Sequence, residues 1–169
     1  MNEQLPGFVL AELFSRSLVI TDELIQHKSI RNNATASQNL FLGSYEKKVI
    51  ILVNDENNLH LDDAELQFIS RILVPCNLNL AHVALVNFHR HKVSFRQLKK
   101  EMQPQFILMF GVTALQIELP FAMPDYQVQQ YDNCSILTAS ALHMLNKNSE
   151  AVKKEKEKLW KSLRTMFNL

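Results

Sequence analysis

Continuous apolar runs alternate with amphipathic segments from about residue 48 to the end of the chain. The apolar runs predict buried strands at residues 48–53, 83–86 and 106–110. Segments with a helical spacing of apolar residues predict helices at residues 64–73, 95–102, 112–117 and 149–167. Two short strands, residues 126–130 and 135–137, flank an Asp-Asn turn. This order predicts an α/β fold, a three-layer α/β/α sandwich with a mostly parallel central sheet.

A single glycine ends the third apolar run. The chain has only three glycines, and Gly111 stands between the strand at 106–110 and the segment that follows it. Glycine permits a backbone conformation or a close approach that a side chain would block. Ligands of parallel sheets bind beyond the carboxyl ends of the strands, so this junction predicts where a site would lie.

The first 39 residues differ in pattern from the rest. Residues 5–18 are apolar at roughly helical spacing, and residues 26–39 form a polar linker rich in Asn, Ser and Thr. We therefore divide the chain into a helical segment with its linker, residues 1–39, and an α/β domain, residues 40–169. Two interpretations of the segment stay open, because an amphipathic helix can pack on the core or bind a partner.

Composition excludes several classes of protein. The chain has 169 residues, 47% hydrophobic and 21% charged, with a formal net charge of +1, so nothing global indicates nucleic acid. Cys76 and Cys134 lie far apart and match no metal-binding spacing, which predicts reduced buried thiols, with a disulfide as the alternative. We see neither a secretory signal nor a membrane-spanning run, so we expect a cytoplasmic location and no membrane partner.

Three segments resemble the uracil-DNA glycosylase superfamily, and most of all its small bacterial iron–sulfur branch. They are residues 48–73, residues 98–115, and residues 138–148 with the later Leu-Trp-Lys-Ser-Leu stretch at 159–163. The family has a first strand with an active-site loop, a proline and buried strand ending in glycine, and a strand ending in His-Pro-Ser before a closing helix. The resemblance implies a uracil-DNA glycosylase-like fold.

The chain departs from that family where its chemistry resides. The loop at residues 54–58 has neither glycine nor proline, and only Asp55 and Glu56 stand there to polarise a water. Thr138 occupies the place of the histidine that stabilises the departing base, while Ser140 is retained. His143 is the alternative histidine in an offset alignment. The branch's cysteines are absent, so we expect no iron–sulfur cluster, no metal and no cofactor.

A basic loop follows the second strand and offers candidate contacts to nucleic acid. Asn87 is placed to read a base edge, Phe88 to stack on a base, and Arg90 and Lys92 to contact phosphates. An ordinary exposed loop is the alternative interpretation. Gly111 and Asn146 complete the candidate nucleic-acid surface suggested by the resemblance.

These departures favour a non-catalytic protein over an enzyme. We expect an interaction module in DNA replication or repair, whose partner is a protein and for which DNA is a second candidate. The layout is similar to that of the psi family of accessory subunits of the bacterial replicative DNA polymerase, which has this fold without the chemistry. The alternatives are an active, atypical base-excision glycosylase and a small nucleic-acid-binding protein.

Overall fold

A computed structural model describes residues 41–169 of the chain. The predicted helix at 5–18, the linker at 26–39 and the proposed boundary after residue 39 lie outside these residues and stay predictions.

Within the described residues, five strands form one sheet, in the order β2-β1-β3-β5-β4. Their bounds are β1 Val49–Val53, β2 Val83–Asn87, β3 Phe106–Phe110, β4 Val128–Tyr131 and β5 Cys134–Ala139. All neighbours are parallel except β4, which pairs antiparallel with β5 at one edge. The α/β class and the mostly parallel sheet are therefore confirmed.

Four α-helices connect or follow the strands in the described part of the chain. They are α1 Asp63–Leu73, α2 Phe95–Glu101, α3 Leu142–Leu145 and α4 Glu150–Phe167. The predicted caps are confirmed, since the side chains of Asp62 and Ser94 accept from the backbone N–H three residues later. None of these helices is long and apolar enough to cross a membrane.

Apolar side chains cover both faces of the sheet. On one face, Ile69 and Leu73 of α1 pack with Leu159 and Leu163 of α4 against alternate residues of the strands. On the other face the cover is α2 together with the irregular segment at residues 112–121. Fully buried strands of this kind explain the continuous apolar runs in the sequence.

Both cysteines of the chain are free and buried, as expected for reduced thiols. Burial raises the pKa of the Cys76 thiol and raises that of Cys134 to about 12. Neither thiol is therefore a ready nucleophile at neutral pH.

The helix predicted at residues 112–117 is wrong. The segment forms successive turns, with the N–H of Gln116 donating to the Thr113 carbonyl and that of Glu118 to the Leu115 carbonyl. Glu118 then takes a positive φ of 61°. The buried residues of this segment have a helix-like spacing; they are Val112, Ala114 and Ile117. They belong to successive turns between Gly111 and Pro120. Burial against the sheet, and not helix formation, therefore sets the spacing of these apolar residues.

Candidate functional site

A cleft of about 420 Å³ opens at the carboxyl ends of the strands. Val53 and Phe110, the last residues of β1 and β3, form its floor, and residues 141–143 after β5 form one wall. The other wall is the loop at residues 54–58 with the start of α1. The site position predicted from parallel-sheet topology is therefore a real concavity.

Gly111 lies directly after β3 at this edge, as the sequence indicated. Its φ is +69°, and a Cβ built on it would stand 2.8 Å from the Cβ of Ala141. Its N–H donates to the carbonyl of Ala139 at 3.0 Å. The conformation favours glycine and the contact with Ala141 requires it, so the residue serves the close packing of the strand end.

Asp55 points its carboxylate into its own loop. One oxygen accepts from the N–H groups of Asn57 and Asn58 at 2.8 and 3.2 Å, and the other accepts from Nδ2 of Asn58 at 2.9 Å. Burial acts to raise the pKa of Asp55, but these hydrogen bonds and the charge of Arg90 outweigh it and hold the pKa below its ordinary value. The carboxylate is thus an anion that shapes a turn, which weakens it as a base.

Asn87 has no free hydrogen-bonding group on its side chain. Its Nδ2 donates to the carbonyls of Asp55 and Asn58 at 2.8 and 2.9 Å, and its Oδ1 accepts from the N–H groups of Asp55 and His89, both at 3.1 Å. The residue is fully buried. The hypothesis that Asn87 reads a base edge therefore needs correction, because this amide joins two loops and all its donors and acceptors are used.

Phe88 differs from its predicted role, whereas the phosphate contact of the exposed Lys92 stays a prediction. Phe88 is only 4% exposed and belongs to the core on the α2 side of the sheet. The ammonium of Lys92 lies 4.4 Å from the centre of its ring, a cation–π contact. A base has no open ring face to stack on here, so Phe88 is a core residue and the predicted platform is wrong.

Arg90 folds back toward the acidic loop. Its Nη2 donates to the carbonyl of Glu56 at 3.0 Å, and its charge helps to keep Asp55 ionised. Glu56 itself is exposed, with its side chain at the cleft. The basic and acidic loops therefore lie side by side and offset each other's charge.

Thr138 and Ser140 are not brought to the cleft. The hydroxyl of Thr138 is buried and donates to the carbonyl of Pro124 at 3.2 Å. The hydroxyl of Ser140 accepts from Tyr126 Oη at 2.9 Å, and the same phenol lies 3.3 Å from the Glu155 carboxylate on α4. Both hydroxyls fix the segment before β4, so the predicted polar set of Thr138 and Ser140 with Asp55 is not assembled.

The remaining predicted positions are His143 of α3 and Asn146, which directly follows that helix. His143 is exposed and lines the cleft beside the acidic loop. Asn146 is the exposed C-cap of the helix and lies outside the cleft lining. Of the candidate catalytic residues, the structure therefore places Asp55, Glu56 and His143 around one concavity.

Glu65 is the cleft residue that the sequence did not reveal. It is 9% exposed, and its carboxyl lines the cleft from the first turn of α1. Burial and the charges of Asp62 and Asp55 raise its pKa to about 6. In the sequence it stands three residues after the Asp62 cap, where an acidic residue normally signals only a helix start.

The charges of the lining limit what the cleft can bind. The lining includes four acidic residues, Asp55, Glu56, Asp62 and Glu65, and neither Lys nor Arg among the described residues. Phosphate groups are repelled from such a surface. Within residues 41–169, no group of three or more His, Cys, Asp or Glu side chains is arranged to hold a metal ion.

Comparison of the sequence with known proteins adds no assignment, because no family model and no curated protein matches the chain.

Proposed function

We propose that this protein is a non-catalytic member of the uracil-DNA glycosylase-like fold and acts as an interaction module in DNA replication or repair. The observation that carries the proposal is the state of the polar groups at the strand ends. The Asp55 carboxylate and the Asn87 amide, the groups best placed for water activation and base reading, are used to hold loops together. A site built in this way stabilises the fold and leaves little for chemistry.

The placement of the three resembling segments supports the finer fold proposal. The loop at 54–58, the Gly111 junction and the start of α3 after β5 meet at one edge of the sheet. The order of these segments along the chain resembles the order of the corresponding segments in the glycosylases. Convergence at one edge is what a shared fold with altered site residues would produce.

The charge at this edge opposes DNA and so supports a protein as the partner. A glycosylase must hold an extruded base while it contacts the flanking phosphates. Here the acidic lining opposes phosphate, and Arg90 is already bonded to the neighbouring loop. By its layout, we propose that the partner is a component of a replication complex, as for the psi family.

The test is an excision assay with the full chain. Single- and double-stranded DNA containing uracil is incubated with the protein, and release of the base is measured against buffer. We expect no release above background. We expect the same of Thr138→His, because Thr138 faces Pro124 and not the cleft. Excision by the wild type that disappears in Asp55→Asn would overturn the proposal.

A further inference from the structure

A second concavity lies between α1 and α4, and its lining is mostly apolar, unlike that of the cleft at the strand ends. It is a groove of about 110 Å³ lined by Phe68, Ile72, Lys156, Leu159, Trp160 and Leu163. Leu159 and Leu163 belong to the core, while Phe68 and Ile72 are only partly buried against it. The indole of Trp160 is 37% exposed at the rim. Within residues 41–169, the groove is therefore an apolar surface that the packing of α1 and α4 leaves accessible.

The partly exposed Trp160 is a residue type typical of protein interfaces. Tryptophan contributes a large apolar area with little conformational entropy, and it is enriched among the residues that dominate binding energy at protein interfaces. It adjoins Phe68 and Ile72, which follow each other by one turn on α1. The two aromatic rings and the aliphatic side chain of Ile72 therefore form a surface on which an apolar anchor residue of a partner can pack.

The charge at the groove is positive. Lys156 is the charged residue of the lining, and its ammonium lies 5.7 Å from the centre of the Phe68 ring. Helix α4 carries six basic residues against three acidic ones over Glu150–Phe167. Arg164 follows Trp160 by four positions and Lys156 precedes it by four, so both cations share the helix face of the indole. An acidic ligand is complementary to this surface.

We propose that the groove between α1 and α4 binds a short segment of a partner protein in which an apolar anchor residue is flanked by acidic residues. The anchor enters between Phe68, Ile72 and Trp160, and the acidic residues lie along the cationic positions Lys156 and Arg164. The proposal rests on the proposed function, since it names the surface and the chemistry of the protein interaction.

The experiment selects short random peptides by display on the immobilised full chain and then titrates the enriched ones into the protein in solution. Trp160 is the only tryptophan of the chain, so its fluorescence reports directly on the groove. We expect enriched peptides with a leucine or aromatic residue between acidic residues. They should shift the Trp160 emission saturably, and added salt should weaken their binding.

Two charge reversals on α4 make the test specific. Lys156→Glu, in the lining, should weaken binding about fivefold, because one favourable charge contact becomes repulsive. Lys154→Glu makes the same change in net charge on an exposed residue outside the lining and should weaken binding less than about twofold.

Several results would contradict the groove proposal. They are enriched peptides without acidic residues, acidic peptides that bind Lys156→Glu as tightly as wild type, and peptides that match the chain's own sequence. A Trp160 emission that shifts with protein concentration would assign the groove to a second copy of the chain and would also contradict it. Each of these leaves the proposed function standing, whereas base excision in the assay above removes that function whatever the groove binds.

Discussion

The cleft at the strand ends and the groove between α1 and α4 use their side chains in opposite ways. In the cleft, Asp55 and Asn87 direct their polar atoms to the protein's own backbone. In the groove, Trp160 keeps part of its indole exposed and Lys156 contributes a positive charge, and neither feature is used in the core. The polar groups of the cleft, which lies where a parallel sheet normally binds its ligand, thus stabilise the fold. The smaller, apolar groove has more side-chain surface available to bind a partner.

The two regions also carry opposite charge. The cleft lining includes four acidic residues, whereas the charged residue of the groove lining is a lysine. Exposed charges steer encounters more than they add affinity. The cleft should therefore discourage nucleic acid, and the groove should favour an acidic partner.

The largest expected effect is at the cleft edge. Gly111→Val should lower the free energy of unfolding by about 3–4 kcal/mol, because a β-branched residue must adopt a positive φ while its Cβ meets Ala141. Urea unfolding followed by circular dichroism measures this. Gly111→Asn is the control, since Asn tolerates positive φ better, and it should cost less. Unchanged stability of the valine variant would contradict the packing described at this edge.

Asn87→Ala should cost about 2–3 kcal/mol, because it leaves the groups of Asp55, Asn58 and His89 that it paired without partners. The matched control is Asn57→Ala in the same loop, where the hydrogen bond is made by the backbone N–H and survives. That variant should stay within about 0.5 kcal/mol of wild type in the same unfolding measurement. If Asn87→Ala were equally neutral, the amide would be free to bind a ligand.

Glu65→Gln should stabilise the protein at neutral pH. The folded-state pKa of about 6 lies above the ordinary value of 4.5, so the folded protein favours the protonated form. The stability that protonation contributes is present below pH 4.5 and is lost as the pH rises through 6. The variant should exceed wild type by about 1–2 kcal/mol near pH 8, and the difference should vanish near pH 4.

Unfolding curves of Glu65→Gln and wild type across this pH range test the expectation. Glu56→Gln, which removes the same charge from an exposed residue of the cleft lining, is the matched control. A Glu65→Gln variant that is less stable than wild type at neutral pH would mean that the carboxylate has a cationic partner.

The smallest effect on stability is expected in the groove. Lys156→Ala should change the free energy of unfolding by about 0.5 kcal/mol or less, because a partly exposed cation over Phe68 contributes little. The same unfolding measurement gives the value. A loss comparable to that of Asn87→Ala would show that the groove, like the cleft, is used by the fold, and the contrast between the two regions would disappear.

The elements of the fold could be predicted where one local signal decided the structure. The runs at β1 and β3 are continuous and apolar because both sheet faces are covered, and Asp62 and Ser94 cap helices through their own side chains. The segment at 112–117 shows the limit of such signals. Its apolar spacing reflects burial against the sheet, and periodicity does not distinguish a short helix from successive turns.

The position of the candidate site was predictable, but its chemistry was not. Gly111 and the strand ends locate the cleft because parallel topology fixes the edge. Whether Asn87 faces a ligand or two backbone carbonyls depends on how residues about thirty positions apart meet, which no local pattern encodes. Glu65 was missed for the same reason, since its burial is set by the packing of α1 beside the loop at 54–58.

The most direct test of the account is amide chemical-shift mapping of the isotopically labelled full chain. A uracil-containing single-stranded DNA and an acidic peptide from the selection are added in separate titrations. We predict that the peptide shifts the indole N–H of Trp160 and neighbouring amides of α1 and α4, while DNA leaves residues 54–58 and 141–143 unshifted. Saturable shifts at those cleft residues with DNA, and none at Trp160 with the peptide, would contradict the account.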